Sequence, residues 1–155
     1  MPTITIYTDG SCHTELRIGG WAALIINEEE KRYLTGIEKN TTHNRMEIIA
    51  VIEAIKFATT NYGKEIEIKI FADSQYVVDL PSRFSKLMKN NFITKKGTPI
   101  QNEDLVKEFI QQLATINCAF VKVKAHQKPG GIINYNIEVD KLSREVVRKA
   151  VKEII

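Results

Sequence analysis

Four acids have the types and spacing to do chemistry: Asp9, Glu47, Asp73 and Asp140. Asp9 closes an alternating stretch, Ile4 and Ile6 against Thr5 and Tyr7, and stands before Gly10. Asp73 closes a second stretch in which Ile66, Ile68, Ile70 and Ala72 alternate with polar residues. Glu47 falls in the first turn of a helical pattern and Asp140 near the start of the last one. Open α/β sheets collect ligand sites at the carboxyl ends of their strands. Four acids meeting there would place up to four negative charges together, which requires protons or cations. Ligation by oxygen alone suits a hard ion such as Mg²⁺ or Mn²⁺ rather than zinc. Two such ions roughly 4 Å apart can activate a water and stabilise the leaving oxygen in phosphodiester hydrolysis. A plainer reading fits the same residues. The chain has 19 acidic residues, acidic groups are mostly solvated, and Asp before Gly is a turn signature. The pattern by itself leaves both readings open.

The elements that must position these acids follow from periodicity. Residues 3–8 predict a strand ending in a turn at Asp9-Gly10, and 21–26 and 31–37 predict two more strands. These three form an antiparallel meander. Residues 44–59 change to a helical period, with Met46, Ile49, Ala50, Ala54, Phe57 and Ala58 on one face. Ile48, Val51, Ile52 and Ile55 make the other side apolar, so this helix is expected to be buried on most of its surface. Asn61-Tyr62-Gly63 stops it. Residues 65–72 predict the fourth strand. A short helix over 74–80 closes at Pro81, and a basic helix follows over 82–90. Helix 103–115, strand 119–124, a loop with two glycines over 127–131 and a closing helix over 137–153 complete the chain. A crossover helix makes the first and fourth strands parallel neighbours. The expectation is an α/β fold (α+β in some schemes): a five-stranded mixed sheet, three antiparallel strands then two parallel, with helices on both faces.

Composition narrows the function classes. The chain has 155 residues, 43% hydrophobic and 26% charged, which is globular and excludes wholesale disorder. One domain over 1–155 is the natural prior. No apolar run approaches the ~20 residues of a membrane span, and the N-terminus lacks the basic and apolar regions of a secretory signal. Cys12 and Cys118 form no CxxC pair, which argues against a disulfide scaffold or cysteine zinc site and suits a reducing cytoplasm. The net charge is +3, but it is unevenly spread. Residues 81–98 hold Arg83, Lys86, Lys89, Lys95 and Lys96 and no acid, on an otherwise slightly acidic chain. Such asymmetry suits a polyanion-binding surface, and equally a solvated helix face.

Five local words bear on the choice. The chain reads YTDGSC at 7–12, NRMEI at 44–48, DSQYV at 73–77, KAH at 124–126 and N-x-E-V-D-K-L-S-R at 136–144. In this order, on a β-β-β-α-β pattern, they strongly resemble the type 1 ribonuclease H family over nearly the whole chain. The resemblance implies an RNase H-like fold. It also implies an endoribonuclease that hydrolyses the RNA strand of RNA–DNA hybrids with two divalent ions, leaving 5′-phosphate and 3′-hydroxyl ends. It assigns the carboxylates to Asp9, Glu47, Asp73 and Asp140, with two Mg²⁺ per site and Mn²⁺ as a substitute. His126 maps onto the family's loop histidine, assisting proton transfer or product departure, with Pro129, Gly130 and Gly131 supplying mobility.

The same resemblance places the backbone of Gly10, Ser11 and Cys12, together with Asn44 and Gln75, against the hybrid's minor groove, where ribose 2′-hydroxyls distinguish RNA from DNA. Thr42 would hold a DNA phosphate. Asn136 would support the histidine loop or a DNA contact. Arg83, Lys86, Lys89, Lys95 and Lys96 correspond to the family's basic protrusion, gripping the DNA strand. Phe84, Met88 and Phe92 stand where relatives often carry tryptophans. Cys12 is expected to be a groove contact and not a nucleophile. His13 and His43 are given no chemical role. A monomer free of membranes is expected, without a separate hybrid-binding module. The competing readings are a DNA nuclease or transposase-like core, a catalytically dead hybrid- or duplex-RNA-binding module, and a piece of a reverse transcriptase polyprotein.

Overall fold

The computed structural model describes residues 1–124 and 134–154. His126, Pro129, Gly130 and Gly131 lie outside the described residues. Five strands form one mixed sheet: β1 (Thr3–His13), β2 (Ile18–Asn27), β3 (Glu30–Glu38), β4 (Glu67–Ala72) and β5 (Asn117–Lys122). Their order across the sheet is β3-β2-β1-β4-β5. β1–β2 and β2–β3 are antiparallel, and β1–β4 and β4–β5 are parallel. The helices are α1 (His43–Tyr62), α2 (Gln75–Lys89), α3 (Glu103–Leu113) and α4 (Tyr135–Ile154). The expected sheet and its connectivity are present.

The alternation along β1 and β4 sorts the two faces. Ile4, Ile6, Ile68 and Ile70 turn to one side and pack with α1, α2 and α3 in the main core. Ala22 and Leu24 of β2 turn to the other side and pack with Val139 of α4. Helix α1 buries Met46, Ile48, Ala50, Val51, Ile52, Ala54, Ile55 and Ala58, as its two-sided apolar pattern requires. Gly63 ends it at φ 82°, a left-handed conformation that glycine adopts without strain. No helix among the described residues is long and apolar enough to cross a membrane.

Two local expectations are corrected. β1 does not turn at Asp9-Gly10 but continues to His13, because Asp9–His13 find partners in Ala22–Ile18 of β2. The turn comes at Thr14–Arg17, with Arg17 at φ 55° and its N–H on the His13 carbonyl at 2.7 Å. Pro81 does not close a helix either; α2 runs through it. Interior proline removes a backbone hydrogen bond and costs about 3 kcal/mol. Val77 and Leu80 before it are buried, and Phe84 and Leu87 after it pack on the same core. Burial of such side chains stabilises by about 1.5–3 kcal/mol each, which outweighs the break.

Candidate active site

The site grows from the register of β1 on β4. The last parallel pair is Thr8↔Ala72, so Asp9 and Asp73 leave the ladder side by side. Gly10 turns to α1. A Cβ there would lie 2.6 Å from the Glu47 backbone nitrogen and 2.7 Å from the Met46 carbonyl carbon. Only glycine lets the helix come this close, and the approach delivers Glu47 to the strand. The Gly10 N–H donates to Glu47 Oε1. Arg45 steadies the same helix end, donating to Glu38 of β3 at 2.7 Å and, as a fork, to Asp104 of α3 at 3.0 and 2.8 Å.

Asp9, Glu47 and Asp73 each bring one carboxylate oxygen within 4.8 Å of the others. Asp9 is 4% exposed and Glu47 3%. Burial, then the nearby Glu47 and Asp73 charges, raises the Asp9 carboxyl far above its ordinary value. Burial and the Glu47 charge also raise Asp73. A buried, all-oxygen cluster short of positive charge fits a hard divalent cation. Asp140 lines the same cleft but is not one of the three that close together. Its Oδ1 lies 3.2 Å from Arg144 Nε, one turn along α4.

The cleft, about 440 Å³, is also lined by Gly10, Ser11, Cys12, Asn44 and Gln75. The Cys12 thiol is raised by burial and so holds its proton, in keeping with a contact role. Gln75 Nε2 donates to Asp79 at 2.7 Å. Other expected contacts lie elsewhere. Thr42 is exposed and caps α1, its hydroxyl accepting from Arg45 N at 3.2 Å. Asn136 is buried and donates to the Lys124 carbonyl at 3.4 Å, at the start of the segment that carries His126. Arg83, Lys86 and Lys89 project from α2, and Lys95 and Lys96 from the following turn. All five are exposed and, among the described residues, have no carboxylate partner.

Besides Arg144, two residues given no role by sequence belong to the site. His43 Nε2 is 3.5 Å from Glu47 Oε1, and that carboxylate raises the imidazole above its ordinary value. The i,i+4 spacing from Glu47 was the available signal. Ser143 is fully buried, with Oγ 3.0 Å from the Asp140 carbonyl and 3.5 Å from Asp9 Oδ2. Its i,i+3 place after Asp140 was the local signal; the contact to Asp9 spans 134 residues and was not legible along the chain.

Known proteins share this arrangement of chain and fold. The RNase H family model matches residues 1–148. Ribonuclease H of Caldanaerobacter subterraneus subsp. tengcongensis is 34% identical over 152 residues, covering 97% of this chain and 94% of the relative. LC9-RNase H1, a type 1 RNase H with the type 2 active-site motif, superposes with a TM-score of 0.81 at 24% identity, over 96% of this chain and 74% of that one. LC11-RNase H1, solved in complex with an RNA/DNA hybrid, gives 0.66 at 21% identity over 96% and 99%. The ordered words, the sheet that carries their acids and a family match along almost the whole length agree: this chain belongs to the RNase H family of nucleases.

Proposed function

We propose that this chain is an endoribonuclease that hydrolyses the RNA strand of RNA–DNA hybrids by a two-metal-ion mechanism, leaving 5′-phosphate and 3′-hydroxyl ends. The observation that carries the reading is the convergence of Asp9, Glu47 and Asp73 beyond the last parallel pair of β1 and β4. Asp9, Glu47, Asp73 and Asp140 would hold two Mg²⁺, with Mn²⁺ as a substitute. When bound, these ions supply an activated water and charge stabilisation at the leaving oxygen. The protein's own part is to bring the acids together and hold them in place. The Gly10 N–H fixes the Glu47 carboxylate, and Arg144 orients Asp140. Gly10, Ser11, Cys12, Asn44 and Gln75 line the cleft where the minor groove would lie. Thr42 meets a DNA phosphate, and Asn136 ties down the entry to the His126 segment. The protein acts as a cytoplasmic monomer, with residues 1–155 as one catalytic unit.

Incubation with Mg²⁺ and a hybrid labelled on each strand tests this. RNA-strand cleavage is expected; preferential cutting of duplex DNA, or tight hybrid binding without turnover, overturns it. The basic surface gives a second test. Phosphate contacts release counterions, so affinity falls with salt in proportion to their number. Reversing Lys95 and Lys96 to Glu should weaken hybrid binding and flatten the plot of log affinity against log salt by about 1–2 units of slope. An unchanged slope would remove these lysines from the interface. His126→Ala should slow turnover about 10²-fold with hybrid affinity nearly intact, as for loss of a general acid–base group. Equal losses of rate and binding would contradict that role.

A further inference from the structure

We propose that Ser143 is a positioning residue for the carboxylate cluster, tying Asp9 to the helix that carries Asp140. The proposal rests on the cation-dependent reading above. Ser143 is 0% exposed and lies on the face of α4 turned to the sheet, where Val139 packs on Ala22 and Leu24. A hydroxyl in such a seam is costly unless it is hydrogen-bonded. Its neighbours are the Asp140 carbonyl at 3.0 Å and Asp9 Oδ2 at 3.5 Å. The seam is narrow because β2 offers Gly20 to the helix: a Cβ there would stand 2.9 Å from Val146 Cγ1 and 3.2 Å from the Ser143 carbonyl oxygen. One hydroxyl thus touches both the first strand's acid and the backbone of the last helix's acid. It carries a single proton. Asp9 Oδ2 and the Asp140 carbonyl oxygen are the two acceptors within its reach. Ser143 thereby sets the Asp9 carboxylate from the side opposite α1, whose Glu47 is set by Gly10.

Mn²⁺ binding measured by calorimetry without nucleic acid, beside cation-free melting, tests this on the full chain. Ser143→Ala should weaken Mn²⁺ binding about tenfold, at the lower end of the effect of losing a group that orients a metal ligand. Ser143→Cys keeps a side chain of similar shape with a weaker donor. It should also bind Mn²⁺ more weakly than wild type while melting at the same temperature or higher. A merely structural serine would make affinity follow melting temperature across the three proteins. That outcome, or affinities all within twofold of wild type, overturns the proposal. Should the alanine variant not fold, the cysteine variant decides by the same criterion. Asp9→Asn is the control. Wild-type Mn²⁺ affinity in Asp9→Asn would bring down the carboxylate reading itself, and this inference with it. Loss there with unchanged Ser143 variants would overturn this inference alone.

Discussion

Asp9→Asn is expected to reduce hybrid cleavage by on the order of 10³-fold or more while making the cation-free protein more resistant to heat. Both effects come from one charge. Asp9 shares the cluster with Glu47 and Asp73, and asparagine could not supply the charge that a bound cation would need there. In the cation-free site the same carboxylate is buried against two others, which raises its carboxyl well above the ordinary Asp value of 3.8. A group raised in this way contributes its stability fully below the unfolded-state value and loses it as pH rises toward the folded-state value. Neutral pH lies inside that window. Asparagine does not titrate, so the melting-temperature advantage of Asp9→Asn in chelator should widen between pH 5 and pH 8 and shrink as pH falls toward about 4. Saturating Mg²⁺ should reverse the order, because a cation that binds only the folded wild type stabilises it by mass action. An advantage that does not change with pH would show that Asp9 is not held in a carboxylate cluster.

Gly10→Ala should combine destabilisation with loss of rate. The added methyl meets the Glu47 nitrogen at 2.6 Å, the Met46 carbonyl carbon at 2.7 Å and Met46 Cβ at 2.9 Å. Two of these are backbone atoms of a helix buried on most of its sides, so α1 must move away from β1. Overpacking of this kind costs about 1–3 kcal/mol, which lowers the melting temperature by about 2–4 °C per kcal/mol at this chain length. The movement also draws the Glu47 carboxylate off the Gly10 N–H. Displacement of a reacting group by about 1 Å can cost 10²-fold in rate. Gly63→Ala is the matched comparison. Nothing lies within 4 Å of a Cβ there, and only the left-handed φ of 82° is strained. It should cost about 1–3 kcal/mol and leave activity as it was. Equal activity losses in the two variants would mean that the Gly10 contact does not position Glu47.

The local errors of sequence reading have a common cause. Asp9-Gly10 reads as a turn because both residues favour one, yet β2 offers five further partners and the strand continues. Pro81 reads as a stop because the ring costs a hydrogen bond, yet Phe84 and Leu87 have a core to enter. In each case a non-local gain outweighs a local preference of similar size. His43 was given no role, although its i,i+4 relation to Glu47 was open to view. Ser143 stands three residues after Asp140 in the last quoted word, but its contact with Asp9 lies across the fold.

What the chain's residues determined by themselves was the period of each element. Alternation set β1 and β4 and put Asp9 and Asp73 at their ends, and the two-sided apolar pattern buried α1 with Glu47 on it. Those are consequences of neighbours along the chain. The distances that make a site were decided only by tertiary structure. The β1–β4 register aligned two acids, Gly10 admitted α1 to deliver a third, and Gly20 admitted α4 with Ser143 and Asp140. Each depends on how close two backbones can come, and that is set by side chains facing one another across the fold, remote from one another in the sequence.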